Sequence, residues 1–347
     1  MGFKTEISKM HYEKDSGGAL FGVLKFCSAF YGIASGIKNR LYDAKFLKPK
    51  RVDAYVISVG NFTTGGVGKT PVVSEIANYL TEKGEKVAIV SRGYGSKLSS
   101  KKENKVNLIS DGEKIYYGAD EAGDEPVWLA MNTKAVVITA PNRYEGAKFA
   151  VDKFGVGKII LDDGFQHRKL HRDLDIVLID SEKGFGNENL LPAGPLREGV
   201  EAFSRVDRLV VVSKNVDHSK AEKYARIMGK KLKKQTSVCY IEPDYVYDIF
   251  NPEERLNKGE KVLAFSAIGQ PEQFYKFLSD YEVVKTIDFD DHHGYCFGDV
   301  DKLCSEGISK MVTTEKDASK LMRFDFDGSK IFALKLKTGL DVENLLK

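Results

Sequence analysis

An α/β fold with a mainly parallel sheet flanked by helices is what this 347-residue sequence predicts, and three observations carry it. Short β-branched runs recur between residues 54 and 212, with helical patterns between them. A glycine-rich turn joins the first run to the first helical pattern. A second, shorter series of runs opens at residue 261. Parallel neighbours need a crossover, so strands alternating with helices imply βαβ units.

Ahead of that pattern lie residues 18–37, GALFGVLKFCSAFYGIASGI, apolar apart from Lys25 and small residues. Val23, Phe26, Phe30, Ile33, Ile37 and Leu41 recur at three- and four-residue steps, which is one face of a helix. Leu20, Leu24, Cys27 and Tyr31 widen it, and Lys38, Arg40, Lys45, Lys48, Lys50 and Arg51 follow. A cleaved signal peptide fits poorly, because the apolar run is long and no small-residue cleavage site leads into a mature domain. Length permits a spanning helix, but Lys25 and the glycines weaken it. Docking on the protein's own core is the plain alternative. The reading preferred is an interfacial helix, its basic flank facing anionic head groups, so residues 1–50 form a membrane-associated segment.

The strands expected next are residues 54–59 (AYVISV), 86–90 (KVAIV), 135–139 (AVVIT), 158–161 (KIIL), 175–179 (DIVLI) and 208–212 (RLVVV). Helices are expected over 71–83 and 144–154. Residues 96–120 are polar and read as a hairpin or mobile loop. A core domain thus spans 51–238. A smaller α/β lobe at 257–330 has strands at 261–265, 283–287 and 310–313. Residues 239–256, which alternate weakly at their start, and 331–338, where residues 331–336 (IFALKL) read as a further strand, are expected to join the two as extended linkers, and 339–347 form a C-terminal segment.

The net charge of +3 is small for this length, so no nucleic-acid partner is expected. Cys27, Cys239, Cys296 and Cys304 lie far apart, which reads as reduced thiols in a cytosolic compartment. His292, His293, Cys296 and Cys304 match no familiar zinc spacing.

Residues 59–73 read VGNFTTGGVGKTPVV, a strand running into Gly65, Gly66, Val67 and Gly68, with Lys69 and Thr70 opening a helix. Glycines let backbone N–H groups approach phosphate oxygens without a Cβ clash. The helix N-terminus adds partial positive charge. Lys69 can reach the β- and γ-phosphates of ATP, and the Thr70 hydroxyl can ligate Mg²⁺. The core is therefore of P-loop NTPase type. Thr63 stands where the usual pattern has its first glycine. Pro71 is tolerated because its missing N–H has no partner in the first turn.

Residues 158–167 (KIILDDGFQH) end a strand in Asp162 and Asp163, where a second metal-organising acid would sit. Asp124, in Gly123-Asp124-Glu125-Pro126, is either a helix N-cap or a general base, and spacing alone favours the cap. Residues 190–199 (LLPAGPLREG) form a proline-constrained loop presenting Arg197 and Glu198, and the arginine could neutralise transferred charge. Residues 289–295 (FDDHHGY) set two carboxylates beside His292 and His293, as a surface turn or a base–orienter pair.

Taken together, residues 39–43 (NRLYD), 59–71 (VGNFTTGGVGKTP), 91–95 (SRGYG), 123–126 (GDEP), 161–167 (LDDGFQH), 190–198 (LLPAGPLRE), 291–292 (DH) and 313–318 (TTEKDA) resemble the tetraacyldisaccharide 4′-kinase family. The family's loop lacks the first glycine too, so Thr63 supports the match. The resemblance implies an ATP- and Mg²⁺-dependent kinase that phosphorylates the 4′-hydroxyl of an acylated glucosamine disaccharide 1-phosphate to give lipid IVA. It implies a peripheral or monotopic enzyme on the cytosolic face of the inner membrane, with no obligate protein partner. It implies a catalytic pair, Asp124 and His292, with His293 adjacent. It places Thr70, Asp162 and Asp163 near metal, and Arg92, Tyr94, His167, Arg197 and Glu198 near substrate or phosphate. The alternative is a membrane-associated P-loop ATPase switch acting through protein partners, but Thr63 and Thr64 occupy the place of the extra lysine such loops carry.

Overall fold

The structure is a computed structural model and describes residues 10–13, 18–93, 96–98, 105–215, 217–269, 271–326 and 328–347. In chain order the elements are α1 (Ala19–Asp43), β1 (Tyr55–Asn61), α2 (Lys69–Glu82), β2 (Val87–Ser91), β3 (Asn107–Ser110), α3 (Ala119–Ala122), α4 (Asp124–Asn132), β4 (Val136–Thr139), α5 (Arg143–Phe154), β5 (Lys158–Asp162) and β6 (Leu174–Asp180). A 3₁₀ turn (Val200–Arg205), β7 (Arg208–Ser213), α6 (Ser219–Leu232) and β8 (Gln235–Asp248) follow. The remainder is β9 (Lys261–Ser266), α7 (Pro271–Phe277), β10 (Glu282–Asp288), α8 (Phe297–Cys304), β11 (Lys310–Thr314), α9 (Glu315–Leu321), β12 (Lys330–Gly339) and α10 (Val342–Leu346).

The described strands form one sheet in the order β10-β9-β11-β12-β8-β7-β6-β1-β5-β2-β4-β3. Pairing is parallel except at β12–β8 and β3–β4. β1 lies between β5 and β6 and is buried from Val56 to Asn61. Its two faces divide by alternation, as strand geometry requires. Ile57 and Val59 pack with Val72, Val73 and Ile76 of α2, whereas Val56 packs with Ala147 and Ala150 of α5. Helices on both faces explain why these strands read as unbroken apolar runs.

The strand expected at 331–336 lies within β12, whereas the two extended segments are not separate linkers: residues 239–248 belong to β8, and β8 and β12 pair antiparallel from Phe332↔Asp248 to Gly339↔Tyr240. The smaller lobe is thereby an extension of the core's own sheet. Within 96–120, the hairpin reading holds over 107–116: β3 pairs with β4 as an edge strand and turns back through the antiparallel bridge Ser110↔Ile115, with Tyr116 N donating to Ile109 O at 2.9 Å, while residues 99–104 lie outside the described residues. Four residues between a lysine-rich stretch and an Asp-Gly turn are too short for periodicity to reveal.

Gly60 shows how tightly β1 meets the loop after β5. A Cβ there would lie 2.5 Å from Phe165 Cβ and 3.0 Å from Phe165 N. Gly60→Ala is expected to destabilise the fold by about 1–3 kcal/mol, the usual cost of overpacking, read as a lowered Tm in a thermal melt.

α1 leaves its apolar face open. Phe26 and Phe30 are 67% and 61% exposed, and Val23, Ile33 and Ile37 share that face. Only 6% of its most apolar window is buried, so this face is not covered by the protein's own core. The other face is fastened by polar contacts. Ser28 Oγ donates to Leu190 O at 2.8 Å and accepts from Ala193 N at 3.0 Å. Tyr31 OH donates to Arg197 O at 2.9 Å, and Lys38 Nζ to Gln166 O at 3.1 Å. The helix is long and apolar enough to cross a membrane by length and composition.

Candidate active site

The P-loop begins where β1 ends. Gly65 and Gly68 have φ of 106° and 102°, a region closed to most side chains, so glycine is required at both. Thr63 has a structural reason to be there. It forms a β-bridge with Leu196, while Thr64 N donates to Pro195 O at 2.8 Å and Arg197 N to Phe62 O at 2.8 Å. The loop is thus stitched to residues 190–198, and a β-bridging residue suits this place better than glycine.

Lys69 and Thr70 open α2. Lys69 Nζ lies 3.1 Å from Asn61 Oδ1 and 3.5 Å from Asp163 Oδ1. Asp163, at φ 55°, is gripped by Arg197 Nη1 at 2.8 and 2.9 Å. Burial pushes its pKa up, but Lys69 and Arg197 outweigh burial and hold it at about 2. Asp163 thus joins Lys69 to Arg197.

Asp162 behaves differently. It is buried, and among the described residues its Oδ1 has no hydrogen-bond partner. Burial first, and then the charge of Glu125, raise its pKa well above the carboxylate range. Thr70 Oγ1 makes a long contact, 3.5 Å, to Glu125 Oε1. A buried carboxylate oxygen without a hydrogen-bond partner and a loosely held hydroxyl, both set around Glu125, are oxygen donors of the kind a magnesium ion takes when phosphates complete its shell. Among the described residues no group of three His, Cys, Asp or Glu could hold a metal alone, and a nucleotide-bound magnesium does not need one.

On the far side of the loop, Gly123 (φ 92°) caps α4, and Asp124 and Glu125 form its first turn. Asp124 is therefore helical and not the cap itself. His292, at φ 60°, is held through its backbone N to Ala267 O at 3.1 Å. Its Nδ1 donates to Asp124 Oδ2 at 3.0 Å. His293 turns away to Asp299 Oδ2 at 2.9 Å, so geometry selects His292 as the partner of Asp124. Burial raises the pKa of Asp124, but the His292 hydrogen bond and the charges of Lys316, His292 and Lys320 reverse this and hold it far below the carboxylate range. The same hydrogen bond raises His292 above its ordinary 6.5.

Other expected residues fall as follows. His167 is half-buried, with Nε2 unpartnered among the described residues, and burial together with Arg143 lowers its pKa to about 3, so it is neutral near pH 7. Arg92 is exposed just past β2, and Tyr94 lies outside the described residues. Glu198 is buried against Asn39 Nδ2 at 2.8 Å and in an ion pair with Arg205. That carboxylate anchors α1 and is not presented to substrate. Several residues were not legible beforehand. Asn61 steers Lys69. Arg143 is buried with Nε unpartnered. Glu125 accepts from Lys316 Nζ at 2.6 Å, and Lys320 Nζ lies 3.5 Å from Asp124 Oδ2. Both acids sat inside GDEP and both lysines inside or beside TTEKDA, so the motifs contained them without assigning contacts.

A strand, a glycine loop and a Lys-Thr helix start, facing an Asp–His pair, define a P-loop enzyme of the phosphotransferase class. Residues 20–347 match the model of the tetraacyldisaccharide-1-P 4′-kinase family, and the chain belongs to that family. Tetraacyldisaccharide 4′-kinase of Halothermothrix orenii is 37% identical over 327 residues, covering 87% of this chain and 83% of its own. That of Chlorobium luteolum is 38% identical over 316 residues, covering 86% of each. The crystal structure of LpxK from Aquifex aeolicus in complex with ATP superposes with a TM-score of 0.77 at 34% identity, over 94% of this chain and 97% of that one.

Proposed function

We infer that this chain is an ATP-dependent kinase that phosphorylates the 4′-hydroxyl of tetraacyldisaccharide 1-phosphate to give lipid IVA, a step of lipid A biosynthesis. The observation that carries the mechanism is the 3.0 Å contact of His292 Nδ1 with Asp124 Oδ2, in the same site as the P-loop. Lys69 and the loop amides hold the triphosphate. Thr70 and Asp162 would hold magnesium, which when bound neutralises phosphate oxygens. Asp124, oriented by His292, takes the proton of the sugar hydroxyl as it attacks the γ-phosphorus in line. Arg197 and Asp163 keep Lys69 aimed, and the buried Arg143 with the neighbouring neutral His167 would serve an anionic or hydroxylated substrate group. Positioning and charge stabilisation supply most of the acceleration in such chemistry.

The enzyme works at the membrane surface, on the cytosolic face, where ATP and the acyl chains meet. What supports this is the open apolar face of α1 and the basic residues that follow it. Phe26→Asp with Phe30→Asp is expected to lower binding to anionic vesicles by about tenfold or more while leaving Tm unchanged, measured by vesicle sedimentation.

The deciding assay supplies disaccharide 1-phosphate in detergent with ATP and Mg²⁺, and follows a second phosphate by thin-layer separation. No transfer by the wild-type protein would sink the assignment. ATP turnover that requires a protein partner and no lipid would favour the switch class, against which the Asp124–His292 pair and the missing loop lysine already weigh.

A further inference from the structure

The TTEKDA motif is not absorbed by the mechanism above. It carries α9, which packs against α4 at the P-loop edge of the site. Lys320 fixes the register of this packing. It is buried, with Nζ 3.5 Å from Asp124 Oδ2, 3.3 Å from Asp317 Oδ1 and 3.3 Å from His293 O. One helical turn earlier on the same face sits Lys316. Its ammonium is 2.6 Å from Glu125 Oε1, the oxygen that also lies 3.5 Å from Thr70 Oγ1. The two distances confine Lys316 Nζ to within about 6 Å of the P-loop hydroxyl.

We propose that Lys316 is a further catalytic residue, carried to the P-loop by the smaller lobe, whose ammonium stabilises the charge of the phosphoryl group during transfer. The proposal deepens the kinase reading and rests on it. Lys316 differs from Lys320 in the way the role demands. Lys320 is buried among three acceptors and cannot exchange them cheaply. Lys316 is only partly buried, and among the described residues its ion-pair partner is Glu125 alone. An ammonium with one carboxylate partner, next to the loop that holds the β- and γ-phosphates, can pass to a phosphate oxygen without leaving a buried group unpaired. Burial alone would lower its pKa, but Glu125, Asp124 and Asp162 outweigh burial and raise it, so it stays charged.

In the step itself, the bond from the γ-phosphorus to the β–γ bridging oxygen breaks and that oxygen leaves with ADP. The sugar oxygen forms the new bond to phosphorus, and its proton goes to Asp124. Charge spreads over the bridging and equatorial oxygens as the phosphoryl group moves, and a preplaced cation there acts where charge develops. Because Lys316 and His292 both come from the smaller lobe, the acceptor's base pair and the phosphoryl cation arrive together. Water would then meet a complete site only when that lobe is seated.

The test uses the full-length protein in detergent with disaccharide 1-phosphate, ATP and Mg²⁺. Lys316→Met keeps the stem and removes the charge. Its kcat is expected to fall about 10²–10³-fold, with KM for ATP moving less than about threefold, as for an interaction made in the transition state. Ethylamine added to Lys316→Ala should restore at least about a tenth of the lost rate, which repairing a structural contact would not do. A kcat within about fivefold of wild type overturns the proposal, as does a loss without amine rescue that falls equally on kcat and Tm. If Lys316→Met does not fold, Lys316→Gln is judged by the same criteria. An inactive wild-type protein overturns the kinase reading itself, whereas an active wild type with an active Lys316 variant overturns only this assignment.

Discussion

Lys69→Ala is expected to lower kcat/KM for ATP by about 10³-fold or more, roughly 4 kcal/mol of transition-state stabilisation. Its Nζ is held between Asn61 Oδ1 and Asp163 Oδ1, so the ammonium is aimed before any phosphate arrives. Alanine removes the charge and leaves the Arg197–Asp163 pair intact, so Tm should change little. Lys69→Arg should recover little of the rate, because a planar fork does not fit a cradle built for a point charge. The measurement is steady-state transfer to the disaccharide with varied ATP, alongside a melt of each variant. Near-normal kcat/KM in Lys69→Ala would remove the loop from the mechanism.

How much of this was legible follows from where each interaction lies. The P-loop and the strand series are local patterns of residues close in sequence, and β1, α2, β5 and β6 fall within a residue or two of where they are expected. The single departure, Thr63, has a non-local cause: its β-bridge to Leu196 joins segments more than 130 residues apart, and a pattern reading of one loop has no access to it. Glu198 is the converse case. Its place beside Arg197 in the proline loop suggested substrate contact, but the bends at residues 197 and 198 aim the two side chains at different partners. Arg197 reaches Asp163 while Glu198 turns in to Asn39 and Arg205.

Composition also hid the architecture between the lobes. β8 alternates weakly because part of it is half-exposed, so it reads as a connector. Once paired with β12 it carries the sheet across to β11 and β9, and this delivers α9 and His292 to α4. The Asp124–Lys320 and Glu125–Lys316 pairs are products of that delivery, with no trace in local spacing. The motifs identified the right residues, and only topology supplied their partners.

Asp124→Asn is the second large effect, an expected fall of about 10²–10⁴-fold in kcat with KM for ATP nearly unchanged, since the Lys69 cradle is untouched. His292→Ala should cost less, because it removes the orienter and leaves the base. The pH behaviour separates the two roles. The Asp124 hydrogen bond raises His292 above 6.5, so the pair is blocked by an imidazolium until pH exceeds that raised value. Wild-type kcat/KM should therefore climb through a limb above pH 6.5, and the residual rate of Asp124→Asn should show that limb at lower pH. Stability runs the other way. A raised histidine pKa contributes stability below about 6.5 that is lost as pH rises through the folded value, and a depressed aspartate contributes above 3.8 that is lost on acidification. The ion pair thus stabilises most between those limits, and the Tm gap between wild type and His292→Ala should be wider at pH 5.5 than at pH 8.5. Activity gained where that gap narrows would mean that releasing the proton from His292 both frees the base and loosens the contact between the lobes. A Tm gap that is flat with pH would break the link and leave Asp124 acting alone.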